Sequence, residues 1–520
     1  MDFEEKQKRQ MIRVIIAEVG MVLAVVAIVV VSLMAAMGFM ISGNGSIEQT
    51  GLLQLHTLPT GASVKIDGAT VFGRTNLSRT LSAGEHNLEI YRDGYDTWRN
   101  TIKVESGMLV RLYYPRLFLL SRSAERVKVL SEDGELDFFQ PSPRKNFAVM
   151  AVKGAAEWQI ADLRSDEVKL STLDLSSVLP GMVKAETRKV TASSGAYAHG
   201  AMSGYKFVGE VDEVRWSDNE ENLLVKVTYE NRSEWVLVRL KDLAHSVNLS
   251  RAFGLSNEAQ MEYIDSTASQ LYVLEKRQLR RINTSSNVMS RILVDNVIDF
   301  MNDESKVIYL TGTVDGKNRA IGVFRDDENG GTILAKVADD AKVQIALANY
   351  YDEDYMMWTE GQNLNIWYGR LPSYSEAGVR AEELKVLFEA VELEHEPEKL
   401  QVSPGGEYLL ARSGKNSMIV DLYNGELCQY ETLTEQIAWF DDSMMYAVVD
   451  NRIAVWDFDG MNWRDLSKDV KLKGENVAVK VESDSPVVVS ANNRYIYYLT
   501  KKSDKDGKVL TYLTREQIRD

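Results

Sequence analysis

The sequence predicts a mostly β protein: an N-terminal transmembrane helix, a small β-sandwich, then a β-propeller of about eight, alternatively seven, blades. Three observations predict it. A single uninterrupted apolar run stands near the N-terminus, short alternating strands broken by Asp-Gly turns follow it, and the rest of the chain repeats one strand–turn–strand unit.

The chain has 520 residues, 45% hydrophobic and 26% charged, with 60 Lys+Arg against 76 Asp+Glu and so a net charge of −16. This is globular composition with length for more than one domain. The acidic balance excludes nucleic acid as a partner, because phosphate neutralisation needs clustered Lys and Arg. A lone cysteine, Cys428, can form neither an intramolecular disulfide nor a cysteine-rich zinc site.

The apolar run from Val19 to Ile41 has only Ser32 as a polar interruption. At about 1.5 Å per residue its roughly 23 residues span a hydrocarbon core about 30 Å thick. A secretory signal has a shorter apolar region, about 7 to 15 residues, so the run reads as a retained anchor, with cleavage near Ala36 to Gly38 as the other reading. Lys6, Lys8, Arg9 and Arg13 precede it, and residues 42–63 carry no Lys or Arg. The positive-inside rule therefore keeps residues 1–18 in the cytoplasm as a short tail and puts everything after the 19–41 span outside the cell membrane. Glu18 stands at the cytoplasmic edge, within reach of the headgroups.

Residues 42–51 read as a Gly/Ser/Asn linker, and residues 52–116 as the small sandwich. Leu53, Leu55 and Thr57 alternate with polar residues, Val64 and Ile66 lead into a turn at Asp67-Gly68, Leu88 and Ile90 into Asp93-Gly94, and Ile102 and Val104 precede Gly107. Period-two alternation closed by Asp-Gly pairs is the signature of hairpins. The glycines Gly61, Gly68, Gly84 and Gly94 read as turn formers, and His86 as a polar residue flanking a strand rather than a metal ligand.

These residues also carry a resemblance. Pro59-Thr60-Gly61-Ala62, Val64 to Gly68, Gly84-Glu85-His86-Asn87-Leu88 and Asp93-Gly94-Tyr95 resemble the PEGA domain, with Thr60 in place of the signature Glu and Thr75-Asn76 in place of a later Thr-Pro. The resemblance implies an envelope or surface module without a catalytic centre, serving adhesion, spacing, or contact with protein or carbohydrate.

Residues 117–520 carry the repeat. Each unit runs from an apolar strand end through a turn rich in Ser, Asp, Asn or Gly to a second apolar strand seven positions on. Instances begin at Trp216, Ile264, Phe300, Tyr350, Val402, Trp439 and Val481, with a related unit at Pro141-Ser142-Pro143. A third apolar strand follows in most units, as at Trp158 to Ile160, Trp235 to Val238, Leu364 to Trp367 and Ile453 to Trp456. Strand, turn, strand, loop and strand at about 35 to 55 residues per unit is what a four-stranded propeller blade requires. The segments Val402 to Tyr423 and Trp439 to Phe458 resemble blades of TolB-type and WD-repeat propellers. The C-terminal strand near Val509 to Leu513 is expected to close the ring with Leu117 to Leu120 or Val127 to Leu130. Residues 171–210 form an insertion loop between the first two units, small and turn-rich from Ser193 to Gly204.

The sequence offers little chemistry. It holds no Gly-x-Ser-x-Gly elbow, no His-Glu-x-x-His helix and no Gly-rich phosphate loop. Of the five histidines, only His395 stands in a dense acidic cluster, with Glu392, Glu394 and Glu396; the group reads as a solvated loop ahead of the next strand rather than a cation site. Asp457 to Gly460 and Asp504 to Gly507 look like fragments of a calcium loop, but neither is completed by the expected Glu, and Asp-Gly is a hairpin signal as well. Trp158, Trp216, Trp235, Trp367, Trp439 and Trp456 fall in expected strands and read as core.

The expectation is therefore a non-enzymatic, single-pass envelope protein whose propeller binds or scaffolds outside the membrane. Its partners are the lipid bilayer, through the helix, and an envelope protein or a cell-wall or surface glycan. It needs no cofactor or metal. The alternative is an extracytoplasmic propeller hydrolase or lyase with acidic catalytic residues dispersed among the blades.

Overall fold

The computed structural model describes residues 2–36, 39–41, 47–132, 135–184, 204–304, 306–324, 331–371, 384–475, 477–483 and 485–520. The helix runs Asp2–Ala36. Its stretch Ile16–Met34 has a mean hydropathy of 2.7, and none of it is buried within the protein. By length and composition it can cross a membrane. The apolar span read as 19–41 is corrected at its end: Phe39–Ile41 is a strand paired with Ile47–Gln49. An aromatic and a β-branched residue after Gly38, a poor helix former, suit a pleated ladder better than another helical turn. Ile47 to Gly51, read as linker, belong to a strand Ile47–Leu55.

The chain divides into two compact units, the first from Met1 to Ser121 together with Arg519, the second from Arg122 to Ile518 together with Asp520. In the first, two four-stranded sheets face each other across an apolar layer. One sheet is built on Ile47–Leu55, with Leu77–Ser82 antiparallel and Leu109–Leu112 parallel to it; the other orders Ala69–Thr70, Ser63–Ile66, Gly84–Tyr91 and Trp98–Val104. The alternating residues Leu53, Leu55, Val64, Leu88, Ile90, Trp98 and Val104 meet in the core, as expected of strands with one dry face.

In the second unit the repeat becomes seven consecutive four-stranded antiparallel sheets among the described residues, each a simple meander. Their first strands are Leu136–Pro141, Glu210–Trp216, Gln260–Tyr263, Val297–Asp303, Ile345–Tyr350, Lys399–Val402 and Ala438–Trp439. First strands of neighbouring sheets approach each other, as 297–303 does 345–350 and 345–350 does 399–402. Apolar layers fill the spaces between successive sheets. Of the expected core tryptophans, Trp158, Trp216, Trp235 and Trp456 are buried, whereas Trp367 and Trp439 are half-buried. A further five-stranded sheet orders Lys471–Leu472, Ser123–Glu132, Val509–Gln517, Tyr495–Ser503 and Val488–Val489. The C-terminal strand thus pairs antiparallel with a strand that includes Val127 to Leu130.

A recurring serine explains the first turn of four sheets. At Ser142, Ser217, Ser403 and Ser490 the backbone N–H donates to the carbonyl five residues on, at 2.8 to 3.0 Å. The hydroxyl accepts from that residue's N–H at 2.9 to 3.1 Å. One buried hydroxyl therefore closes a six-residue turn that the ladder alone leaves unpaired. Asp265 does the same work with its carboxylate, accepting from Gln270 N–H at 2.7 Å. Two-residue turns at Glu230-Asn231, Lys276-Arg277, Tyr351-Asp352 and Asp450-Asn451 have positive φ at both positions, the geometry that matches strand twist in tight hairpins.

Three expected turns shift. The units at Phe300 and Tyr350 turn more tightly, since Val297–Asp303 and Lys306–Thr311 are separated by two residues, as are Ile345–Tyr350 and Glu353–Glu360. In the last unit Val488 opens the first strand, and the turn is Ser490 to Arg494. The expected insertion begins inside the fourth strand of the first sheet, Lys169–Asp174, and continues as a hairpin of Met182–Lys184 with Tyr205–Phe207. Residues 185–203 lie outside the described residues.

Candidate binding surface

The motif residues of the small sandwich come together as structure. His86 is buried, its Nδ1 lies 2.7 Å from Asp67 Oδ2 and its Nε2 2.8 Å from the Ser82 carbonyl. Asn87 N–H donates to Asp67 Oδ1 at 2.9 Å, so the hairpin at Asp67-Gly68 is tied to the next strand. Burial alone lowers the imidazole's affinity for a proton, but the bonds to Asp67 and the Ser82 carbonyl outweigh it and hold His86 above its ordinary value. The hydrogen bond to His86 holds Asp67 below the usual carboxylate range.

Ala62 and Tyr95 are core residues, Thr60 accepts from Arg92 at 2.9 Å through its carbonyl, and Pro59 accepts from the Thr57 hydroxyl at 2.8 Å. Gly61, Gly68, Gly84 and Gly94 all have positive φ. These residues shape the module. Val19 lies on the exposed apolar helix, and Ile41 ends the short strand after it.

In the second unit the turns from first to second strands form one edge of three adjoining sheets, the fourth to the sixth. There a cavity of 830 Å³ is lined by Asn302, Asp303, Glu304 and Lys306 from the fourth sheet, Leu347 to Asn349, Asp352, Arg370 and Leu371 from the fifth, and Val402 to Gly406 from the sixth. Its volume falls in the range of small-molecule sites. Asp354, 1% exposed, holds the walls together. Its Oδ1 accepts from Lys306 Nζ at 2.6 Å and Asn349 Nδ2 at 2.7 Å, and its Oδ2 from the Leu371 N–H at 2.7 Å. Burial pushes the Asp303 carboxyl up, with Lys306 pulling the other way. Gly406 has φ +79°, and a Cβ there would sit 2.3 Å from the Asn349 carbonyl oxygen, so the fifth and sixth sheets touch where no side chain fits.

Beside the cavity stand three tyrosines. Ring centroids are 5.0 Å apart for Tyr350 and Tyr351, 5.5 Å for Tyr351 and Tyr423 and 6.2 Å for Tyr350 and Tyr423. Tyr351 is 57% and Tyr423 46% exposed. Glu407 is hydrogen-bonded to Tyr350, and burial, with Asp421 nearby, pushes its carboxyl up to about 7. Asp421 accepts from the Tyr423 and Asn424 N–H groups at 2.9 Å, which fixes the loop carrying Tyr423.

A second constellation lies on first strands. Arg215 donates to Glu213 Oε1 at 2.5 Å and to the Met261 carbonyl at 2.7 Å, and is ion-paired with Glu262. Burial raises both Glu262 and Asp299, and each acid in this group disfavours ionisation of Glu262 further, against the pull of Arg215. Sequence reading did not single out these residues or the cavity acids, because each group is assembled from three successive sheets and no local motif marks its members. The segment YYDED at Tyr350 to Asp354 was visible only as a turn.

The remaining candidates resolve locally. Glu394 and His395 line a smaller cavity of 330 Å³ with Gln429 and Tyr430. Asp504 caps the hairpin before Val509 through the N–H groups of Asp506 and Lys508. Asp457 is buried and accepts from Asn462 at 3.0 Å. Burial pushes the half-buried Cys428 thiol up to about 11, so it is not an activated nucleophile. Among the described residues no three His, Cys, Asp or Glu side chains are grouped as metal ligands.

Residues 50–116 match the PEGA domain. No curated protein matches the chain significantly. The solved structure of the Dos1 propeller is similar over 75% of this chain and 95% of that one, at 12% identity and a TM-score of 0.39. The Myceliophteria thermophila Cps50 (Swd1) β-propeller domain is similar over 64% and 96%, at 12% identity and a TM-score of 0.36. An oligogalacturonate lyase in complex with manganese is similar over 59% and 88%, at 10% identity and a TM-score of 0.34. The PEGA module accounts for the sandwich, and the sheets after it are similar to propellers.

Proposed function

We propose that this is a single-pass membrane protein that presents a binding propeller outside the membrane, next to its PEGA module, to an envelope protein or a cell-surface glycan. Residues 1–18 form the cytoplasmic tail, the apolar helix the anchor, and the second unit a ring of eight blades that begins at Arg122 rather than at Leu117, which packs in the sandwich core; the strand 123–132 joins the C-terminal strand to close the circle. The anchor is supported by a helix whose apolar stretch is not buried within the chain, since about 25 cal/mol is lost per Å² of apolar surface left in water. The basic residues Lys6 to Arg13 support its direction.

The observation that carries the binding role is the 830 Å³ cavity, walled by three sheets and fixed by the buried Asp354. Protease added to intact cells tests the arrangement: a C-terminal tag is expected to be shaved off. A tag that survives until the membrane is opened refutes it. A second reading, hydrolase or lyase, is favoured by Glu262, which pairs with Arg215, and its neighbour Asp299, because carboxyls raised by burial beside a fixed cation suit acid–base chemistry. Turnover of a glycan or peptide library, abolished by Glu262→Gln, would establish that reading in place of the first.

A further inference from the structure

We propose that the cavity between the fourth, fifth and sixth sheets, together with its tyrosine shelf, binds a basic polypeptide segment. One Lys or Arg side chain enters beside Asp303 and Asp352, and a second lies over the rings of Tyr351 and Tyr423. The inference rests on the binding reading above and narrows the partner to a protein.

Charge selects the ligand. Asp303, Glu304 and Asp352 line the cavity, while the cavity's Lys306 is held by Asp354 at 2.6 Å. Arg370 is the remaining cation of the lining, so three carboxylates share one cation that Asp354 does not hold. A guest ammonium or guanidinium therefore meets carboxylates that the protein's own cations leave undercompensated, which is where an ion pair gains most. The partly desolvated state of Asp303 agrees with this.

The surroundings repeat the sign. In the second to the seventh sheets, the segments from first to second strand carry Asp218, Asp265, Asp303, Asp352, Glu407 and Asp442, and the residues between those strands include no Lys or Arg. Such a field steers a basic segment toward the cavity. The tyrosines supply what an acidic surface lacks: a place for a cation to rest on an aromatic face, where attraction persists beside water. A neutral sugar would gain from stacking on the same rings but would leave the carboxylates uncompensated.

The full chain in zwitterionic detergent, titrated with a fluorescent pentalysine peptide, tests the proposal against pentaglutamate and a neutral oligosaccharide. Pentalysine is expected to bind with an affinity that falls as salt rises. Asp303→Asn with Asp352→Asn is expected to weaken it about tenfold or more, with the circular dichroism spectrum unchanged. Tyr423→Ala is expected to weaken it about threefold, and Tyr423→Phe to restore it. The charge-matched control Glu392→Gln with Glu394→Gln is expected to leave it within about twofold.

Equal losses in the two double variants would overturn the proposal, because binding would then follow net charge. So would oligosaccharide binding that the Asp303 and Asp352 variants abolish, or no pentalysine binding at low ionic strength. If an envelope partner is still recovered in full by the Asp303→Asn, Asp352→Asn protein, this inference fails while the binding reading stands.

Discussion

Arg122 and Glu516 join the beginning and the end of the second unit, and removing Arg122 tests how that junction holds. Glu516 has no exposed surface. Its Oε1 accepts from Arg122 Nε at 2.9 Å and its Oε2 from the Tyr498 hydroxyl at 3.0 Å, while Arg122 Nη2 donates to the Leu466 carbonyl at 2.7 Å. Arg122→Ala leaves a carboxylate buried with one hydroxyl donor. Breaking one side of such a pair costs about 3–5 kcal/mol, which at about 1.4 kcal/mol per factor of ten is a hundredfold or more in local opening.

Protonation offers the variant an escape, and that sets the pH dependence. Burial already pushes the Glu516 carboxyl up to about 7 against the pull of Arg122. A carboxyl raised in the folded state contributes stability that is complete below its unfolded value near 4.5 and is lost as pH rises through the folded value. Without Arg122 the folded value moves higher still, so the deficit of the variant grows from pH 5 to pH 8. Hydrogen exchange at the amides of 123–132 and 509–517 reads local opening directly, which matters because a chain of two units has no single unfolding free energy. Unchanged protection in Arg122→Ala, or a larger deficit at pH 5 than at pH 8, would refute the reasoning.

Three further outcomes are expected. In an NMR titration His86 should titrate above 6.5, and Asp67→Asn should bring it down; since a raised imidazole stabilises below its unfolded value and loses that contribution as pH rises through the folded one, the variant should cost the PEGA module more at pH 6 than at pH 8. Ser403→Ala removes the acceptor of the buried Tyr408 N–H and should cost about 1–3 kcal/mol, measured as faster exchange in the strand Tyr408–Ser413. Gly406→Ala places a Cβ against the Asn349 carbonyl at φ +79° and should cost at least about 1–3 kcal/mol, detected as a lower melting temperature by tryptophan fluorescence; an unchanged melting temperature would show that the fifth and sixth sheets do not meet as described.

The repeat was legible because its turn is chemical as well as periodic. A serine with its partner five residues on, as in Ser403 to Tyr408, marks a connection that needs one buried hydroxyl whatever lies around it. Where a two-residue turn replaces it, at Tyr351-Asp352, the same spacing of apolar residues persists but the turn is tighter than the pattern suggests. The end of the apolar helix was less legible. Phe39 to Ile41 are as apolar as the span before them, and only their pairing with Ile47 to Gln49 makes them a strand.

Read alone, the chain determined which faces are dry and most of the places where the backbone turns, because alternation and Asp-Gly pairs act over a few residues and need no distant partner. The candidate site was decided by the tertiary structure. Asp303, Asp352, Asp354 and Gly406 belong to different sheets or to positions with no local signature, and they become a cavity only when three meanders stand edge to edge. The raised carboxyl of Asp303 and the paired charge of Asp354 follow from burial and neighbours, and neither exists until the chain has folded.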